Sequence, residues 1–323
     1  MKSWKEQLKH DPIPPLLSCK NKAIIYFVKR DLLEQKVNPI ESLWELPSAI
    51  DILKKQQEEG FWKYPGKVKE NLRWQEDYNQ IETFRNLGVL VEKFGFNKNH
   101  LSIQKAAKYL LSKQTSEGDI RGIYATQYSP NYTAAILEQL IKAGYEDNET
   151  IRKGLDWLLS IRQDDGGWTI ALRTLKIKWE DAFTLSEPLL PDKKKPFSHM
   201  ITGVVLRPFA IHSDYQKRDE TQHAGRLLMS RFFQNDKYSD RKDKSYWLKF
   251  SFPFWFTDLI SALDSLVSLG FSKKEQQIRA ALDWFISQQK EDGTWDLSML
   301  RSKDKDLNFW FDYLICGLFK KFY

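Results

Sequence analysis

The sequence predicts an all-α protein, an (α/α)6 toroid in which helices alternate between an inner and an outer layer. Three observations carry that prediction. A stereotyped helix exit recurs as Gln57-Glu58-Glu59-Gly60-Phe61-Trp62, Gln163-Asp164-Asp165-Gly166-Gly167-Trp168 and Gln289-Lys290-Glu291-Asp292-Gly293-Thr294-Trp295. A weaker copy, Gln114 to Ile120, keeps the glutamine and glycine but has isoleucine where the others have tryptophan. Between these exits lie helical runs that are apolar on most faces, the signature of helices buried all round. No period-two alternation of useful length interrupts them.

The outer helices are expected around Trp4–Lys9 and over 44–57, 104–114, 151–163, 219–233 and 275–289. They carry more charge, and several end at an exit where glutamine can bond free carbonyls, glycine supplies positive φ and tryptophan covers the turn. The fourth of the longer ones, around Ala224 to Phe233, lacks the glycine-tryptophan exit. The inner helices are expected over 23–28, 81–94, 133–143, 199–211, 256–269 and 309–322. Gly95, Gly144 and Gly270, each followed by an aromatic residue, read as stops for three of these. The spacing averages about 50–60 residues per pair, and six pairs close into one ring over residues 1–323.

The 323 residues include 41% hydrophobic and 14% aromatic positions, enough for a large core, and carry a net charge of +7. A basic balance favours anionic partners, but the cations are interspersed with acids, and Lys193-Lys194-Lys195 reads as a solvated loop. No basic stripe with interleaved aromatics indicates nucleic acid. Cys19 and Cys316 show no metal-ligand or disulfide spacing, so neither metal nor cofactor is expected. No apolar leader or run of membrane-spanning length appears, and a cytoplasmic protein is the expectation, with peripheral membrane contact open and oligomeric state unspecified.

The glutamine-to-tryptophan exits resemble the QW motif of squalene-hopene cyclases and, more loosely, the repeats of protein prenyltransferase β subunits. That resemblance implies the toroid, a structural role for Gln57, Gln163, Gln289 and their tryptophans, and an isoprenoid ligand in a central cavity. Two departures matter. The chain has no Asp-x-Asp-Asp acid motif, since Asp164-Asp165 belongs to an exit turn, and it lacks the Asp, Cys and His that bind zinc in prenyltransferases.

Candidate site residues come from the loops that would cover one end of the cavity. Phe252-Pro253-Phe254-Trp255-Phe256-Thr257-Asp258 and Phe309-Trp310-Phe311-Asp312 echo each other, placing an aspartate inside an aromatic collar. Asp258 and Asp312 are the candidate acids, and a desolvated carboxyl can hold a proton for transfer. An aspartate near a helix start is equally favoured by the helix dipole. His199 is a candidate base or anion donor. Trp74, Asp77, Tyr128, Tyr132, Trp255 and Trp310 are candidate substrate contacts, the aromatics through their π-faces. Arg173 and Arg207, with Arg73, Arg85 and Arg121, could pair with a diphosphate.

The leading expectation is a cyclase or transferase acting on a long apolar or diphosphate-bearing substrate. A glycan-processing toroid would use Glu76 or Asp77 with Asp258 or Asp312 as paired carboxylates. A binding or scaffold toroid without catalysis is the third reading, and the missing acid and zinc sets leave catalysis itself open.

Overall fold

The computed structural model describes residues 3–68, 74–238, 241–300 and 304–323. Fourteen α-helices occur among them: α1 (Ile13–Ser18), α2 (Lys22–Phe27), α3 (Pro47–Leu53), α4 (Gln75–Phe94), α5 (Leu101–Leu111), α6 (Pro130–Leu140), α7 (Glu149–Ser160), α8 (Ala171–Thr174), α9 (Trp179–Phe183), α10 (His199–Ile211), α11 (Asp219–Met229), α12 (Leu259–Ser268), α13 (Gln276–Gln288) and α14 (Leu307–Phe322). Helices α2, α4, α6, α10, α12 and α14 form the inner layer. Each packs on the next, and α14 packs back on α2, so the ring closes.

The two layers differ as their sequences dictate. In α10 every residue from His199 to Ala210 is buried, whereas α7 buries Ile151, Leu155 and Leu158 on one stripe and turns charge outward. That stripe follows the helical repeat and faces α6. The first outer element differs from expectation: Trp4–Gln7 is one 3-10 turn, and α1 follows it and packs on α14.

The exits are built as a repeated set of bonds. The indole N–H groups of Trp62, Trp168 and Trp295 each donate to a carbonyl ten residues earlier, at Ile52, Leu158 and Phe285, all at 2.7 Å. The backbone N–H groups at the same position donate inward to the following inner helix. Trp62 meets Thr83 Oγ1 at 3.0 Å, Ile120 meets Thr133 at 3.0 Å, Trp168 meets Thr202 at 2.9 Å and Trp295 meets Asp312 Oδ1 at 3.0 Å. This inner-helix acceptor was not legible as part of the repeat.

The stitching glutamine also needs correction. In the first exit it is Gln56, whose amide donates to Gly60 O and to Ser102 O of α5, both at 2.9 Å. Gln57 is solvent-facing and reaches only Lys55 O. Gln114 makes the same pair of bonds, to Gly118 O at 2.9 Å and Thr150 O of α7 at 2.8 Å. The copy that looks weakest in sequence is therefore a complete stitch. Gln289 bonds Gly293 O and His10 O, each at 3.0 Å. Gln163 lies one position off this register, because its N–H pairs with Gly167 O as the N–H of Gln57 pairs with Phe61 O. Its amide holds Asp192 O and Lys195 O of a long loop instead. Glycine is required in these turns for two reasons at once: Gly118 has φ +114°, and a Cβ there would lie 2.6 Å from Lys153 O.

Candidate functional site

A cavity of about 240 Å³ lies among α4, α6 and α10 and is covered by α8, α9 and the segment before α12. Six aromatic side chains line it: Phe84, Tyr124, Tyr132, Trp179, Trp255 and Phe256. Five of them form a chain of edge-to-face contacts. It runs from Trp255 to Phe84 (5.3 Å between centroids), Tyr132 (6.1 Å), Tyr124 (5.2 Å) and Trp179 (4.7 Å). Edge-to-face pairs of this kind add about 0.5–1.5 kcal/mol each beyond their buried area, so the rings support one another around the cavity.

The charged lining residues are all cations: Arg85, Arg173 and Arg241. The Arg241 guanidinium lies 3.6 Å from the Phe256 ring centroid. Arg173 donates to Ser198 Oγ (2.6 Å), which donates in turn to buried Asp236 (2.7 Å). Ile170, Arg173 and Trp179 also border a second, more open hollow of about 500 Å³ that adds Lys176, Lys178 and Lys237. Among the described residues no Asp or Glu lines either space.

Of the expected site residues, the structure brings Arg85, Tyr132, Arg173 and Trp255 into this chamber. The others lie elsewhere, each for a visible reason. Asp312 is buried and serves as the fourth member of the Thr83, Thr133, Thr202 series, accepting the Trp295 N–H. Burial pushes its carboxyl up to about 7. Asp258 caps α12, accepting the Ser261 N–H at 2.8 Å. Burial raises it to about 7 as well, opposed by the hydrogen bonds it accepts from Ser261 and from the Ser251 backbone. Unlike Asp312, it follows directly on chamber residues, through Thr257.

His199 stacks on Trp247 at 4.6 Å, with Nδ1 3.6 Å from Asp236. Burial lowers its pKa to about 4, so the ring is neutral at physiological pH and is a packing residue away from the chamber. Trp74 is 75% exposed at the start of α4, and Asp77 Oδ2 accepts its N–H at 3.0 Å. Both serve the helix start. Tyr128 donates to Glu117 at 2.6 Å under the Arg121 guanidinium, outside the chamber. Arg207 is buried with Nε 2.9 Å from Glu138 Oε2, and this ion pair joins α10 to α6. Trp310 is buried beneath the Lys93 ammonium. Arg73 lies outside the described residues. Phe84, Met200, Val204, Arg241 and the three lysines were not singled out in advance. Trp179 was visible in the sequence only as one loop aromatic among many.

Residues 77–179 match the squalene-hopene cyclase C-terminal domain family. That segment, about a third of the chain, is terpenoid-cyclase-like. The matched stretch runs from α4 to the start of α9 and carries Phe84, Tyr124, Tyr132, Arg173 and Trp179, so the terpenoid-cyclase-like segment supplies much of the chamber wall. Among solved structures, the type II terpene cyclase MstE from Scytonema in its apo form is similar at 10% identity and a TM-score of 0.36, over 88% of this chain and 99% of that chain. A complex of MstE with its substrate geranylgeranyl dihydroxybenzoate is similar at 10% identity and TM-score 0.39, over 87% and 95%. A family 10 polysaccharide lyase from Cellvibrio cellulosa in complex with trigalaturonic acid is similar at 14% identity and TM-score 0.32, over 66% and 71%. No helix among the described residues is long and apolar enough to cross a membrane.

Proposed function

We propose that this terpenoid-cyclase-like protein acts on an isoprenoid-type small molecule with an apolar body and an anionic head, the body in the aromatic chamber and the head toward the open hollow. One observation carries the reading. Across the two adjoining spaces the described lining residues include six cations, Arg85, Arg173, Arg241, Lys176, Lys178 and Lys237, with six aromatic rings on the inner side and no carboxylate. Guanidinium and ammonium groups favour phosphate or carboxylate oxygens, while the rings favour hydrocarbon and developing positive charge. The paired carboxylates of a glycan-processing site have no counterpart among these residues.

For chemistry beyond binding, Asp258 is the acid we assign. Burial raises its carboxyl to about 7, so it retains a proton into the neutral range, and it lies two residues beyond Phe256 of the chamber wall. Proton transfer from it to an alkene would leave the carboxylate facing Arg207, whose charge favours that form. The test is titration of the protein with geranylgeranyl diphosphate and with geranylgeraniol, followed by product analysis of the incubated mixtures. The diphosphate should bind at least about tenfold more tightly than the alcohol, Arg173→Ala should remove most of that difference, and Asp258→Asn should bind without turnover. Equal affinity for the two ligands would overturn the head-group assignment. Turnover by Asp258→Asn would overturn the acid.

A further inference from the structure

Beyond the chamber lies a second cavity of about 420 Å³, lined by Ile52, Val89, Phe94, Phe252 and Trp310, with Asn21, Ser48, Asp306 and the half-buried Lys93–Asp304 ion pair on its polar side. It is bounded by Val89 and Lys93 of α4, one to two turns beyond Phe84 and Arg85 of the first chamber. One side chain lines both spaces: Trp255. Its indole lies across α4 at Gly88, where an added Cβ would stand only 3.2 Å from Cη2, so the ring can lie this close because position 88 has no side chain. The ring is held at one edge by Phe84 and its backbone N–H by Ser251 Oγ at 3.2 Å. It sits on the irregular segment before α12 rather than on a helix.

We propose that Trp255 is the end wall of the ligand chamber, and that it limits the length of apolar chain the protein accepts by closing off the second cavity. The inference rests on the reading of the aromatic chamber as the ligand site. At about 240 Å³ the first chamber is smaller than a typical small-molecule site of roughly 300–1,000 Å³, and the second space would bring it well within that range. The second cavity has the matching chemistry. Its apolar side, made by Ile52, Val89, Phe94, Phe252 and Trp310, suits a hydrocarbon tail, and the two carboxylates of Asp304 and Asp306 against the single Lys93 ammonium disfavour a second anionic head. A smaller residue at 255 joins the two spaces without touching the cations that hold the head.

The experiment is calorimetric titration of wild type, Trp255→Leu and Trp255→Phe with geranyl, farnesyl and geranylgeranyl diphosphate. Wild-type affinity should rise with chain length and then level off or fall once the chamber is full. In Trp255→Leu the longest ligand should gain at least about tenfold over the shortest relative to wild type, because each added methylene now finds a buried site. Trp255→Phe keeps an aromatic edge toward Phe84 and should show a smaller shift of the same sign, which also covers a folding defect in the leucine variant. A common factor across all three ligands in both variants would overturn the end-wall assignment while leaving the chamber intact. No binding of any ligand to the wild type would overturn the chamber reading and this inference together.

Discussion

Replacing Asp312 with threonine should stabilise the protein increasingly as pH rises above about 4, with the full gain reached above about pH 7. Three inner helices carry threonine where α14 carries Asp312, and all four side chains accept the same exit N–H. Thr83 also donates its hydroxyl to Asn79 O (2.7 Å), so threonine at this position satisfies itself. Asp312 does the job with a carboxyl pushed from 3.8 to about 7 by burial. In the unfolded chain that carboxyl ionises near its ordinary value, whereas in the folded protein it keeps its proton until about pH 7. Folding stability is therefore lost progressively as pH rises through this window, and the loss is complete above it. Three pKa units correspond to roughly 4 kcal/mol at most. For a chain of 323 residues, an unfolding entropy of about 2.1 cal/mol/K per residue makes that a rise in Tm of up to about 6 °C. Thermal and urea unfolding of the wild type and Asp312→Thr between pH 4 and pH 8 would test it. The gain should be near zero at pH 4 and grow to about 2–4 kcal/mol at pH 8, with the remaining pH dependence left to Asp258. An equal gain at both ends, or a loss at pH 8, would refute the argument that burial of a carboxyl is what this position costs.

Gln56→Ala should cost about 1–3 kcal/mol in urea unfolding, because it removes bonds within the exit and to α5, while Gln57→Ala should stay within about 0.5 kcal/mol. The reverse order would restore the register first read from sequence. His199, with its pKa lowered to about 4, should show no imidazole titration by NMR above about pH 5.5. Since the unfolded histidine gains its proton first as pH falls, stability should decline from about pH 6.5 down to pH 4 through this residue, and His199→Phe should flatten that decline.

Much of the architecture was legible because hydrophobic periodicity and glycine-tryptophan punctuation are local signals. The tenth helix, α10, begins at His199 and ends at Ile211 as its apolar run suggests. The register of the exits was less legible. Gln56 and Gln57 are adjacent and chemically identical, and only the partner carbonyls of the next outer helix distinguish them. The acceptor role of Asp312 was hidden for a related reason, since three of four copies use threonine and a lone aspartate in an aromatic collar looks like an acid poised for chemistry. Site residues were legible where they came from rich loops, as with Tyr132, Arg173 and Trp255. Phe84, Met200 and Val204 were not, because a cavity-facing residue on a buried helix has the same sequence pattern as one facing its neighbour.

The grip of Gln289 on the first residues of the ring has a consequence for cooperativity. Its amide accepts from Lys9 N at 2.9 Å and His10 N at 3.1 Å while donating to His10 O. Open arrays of helical repeats have end units that fray, each leaning on a single neighbour. This seam joins positions 280 residues apart, so the array has no fraying unit at either side of it. Closing so long a loop costs roughly 5 kcal/mol of chain entropy by logarithmic scaling, and the cost falls on one late step of folding. Once made, the seam ties the opening of any repeat to the opening of the whole circle.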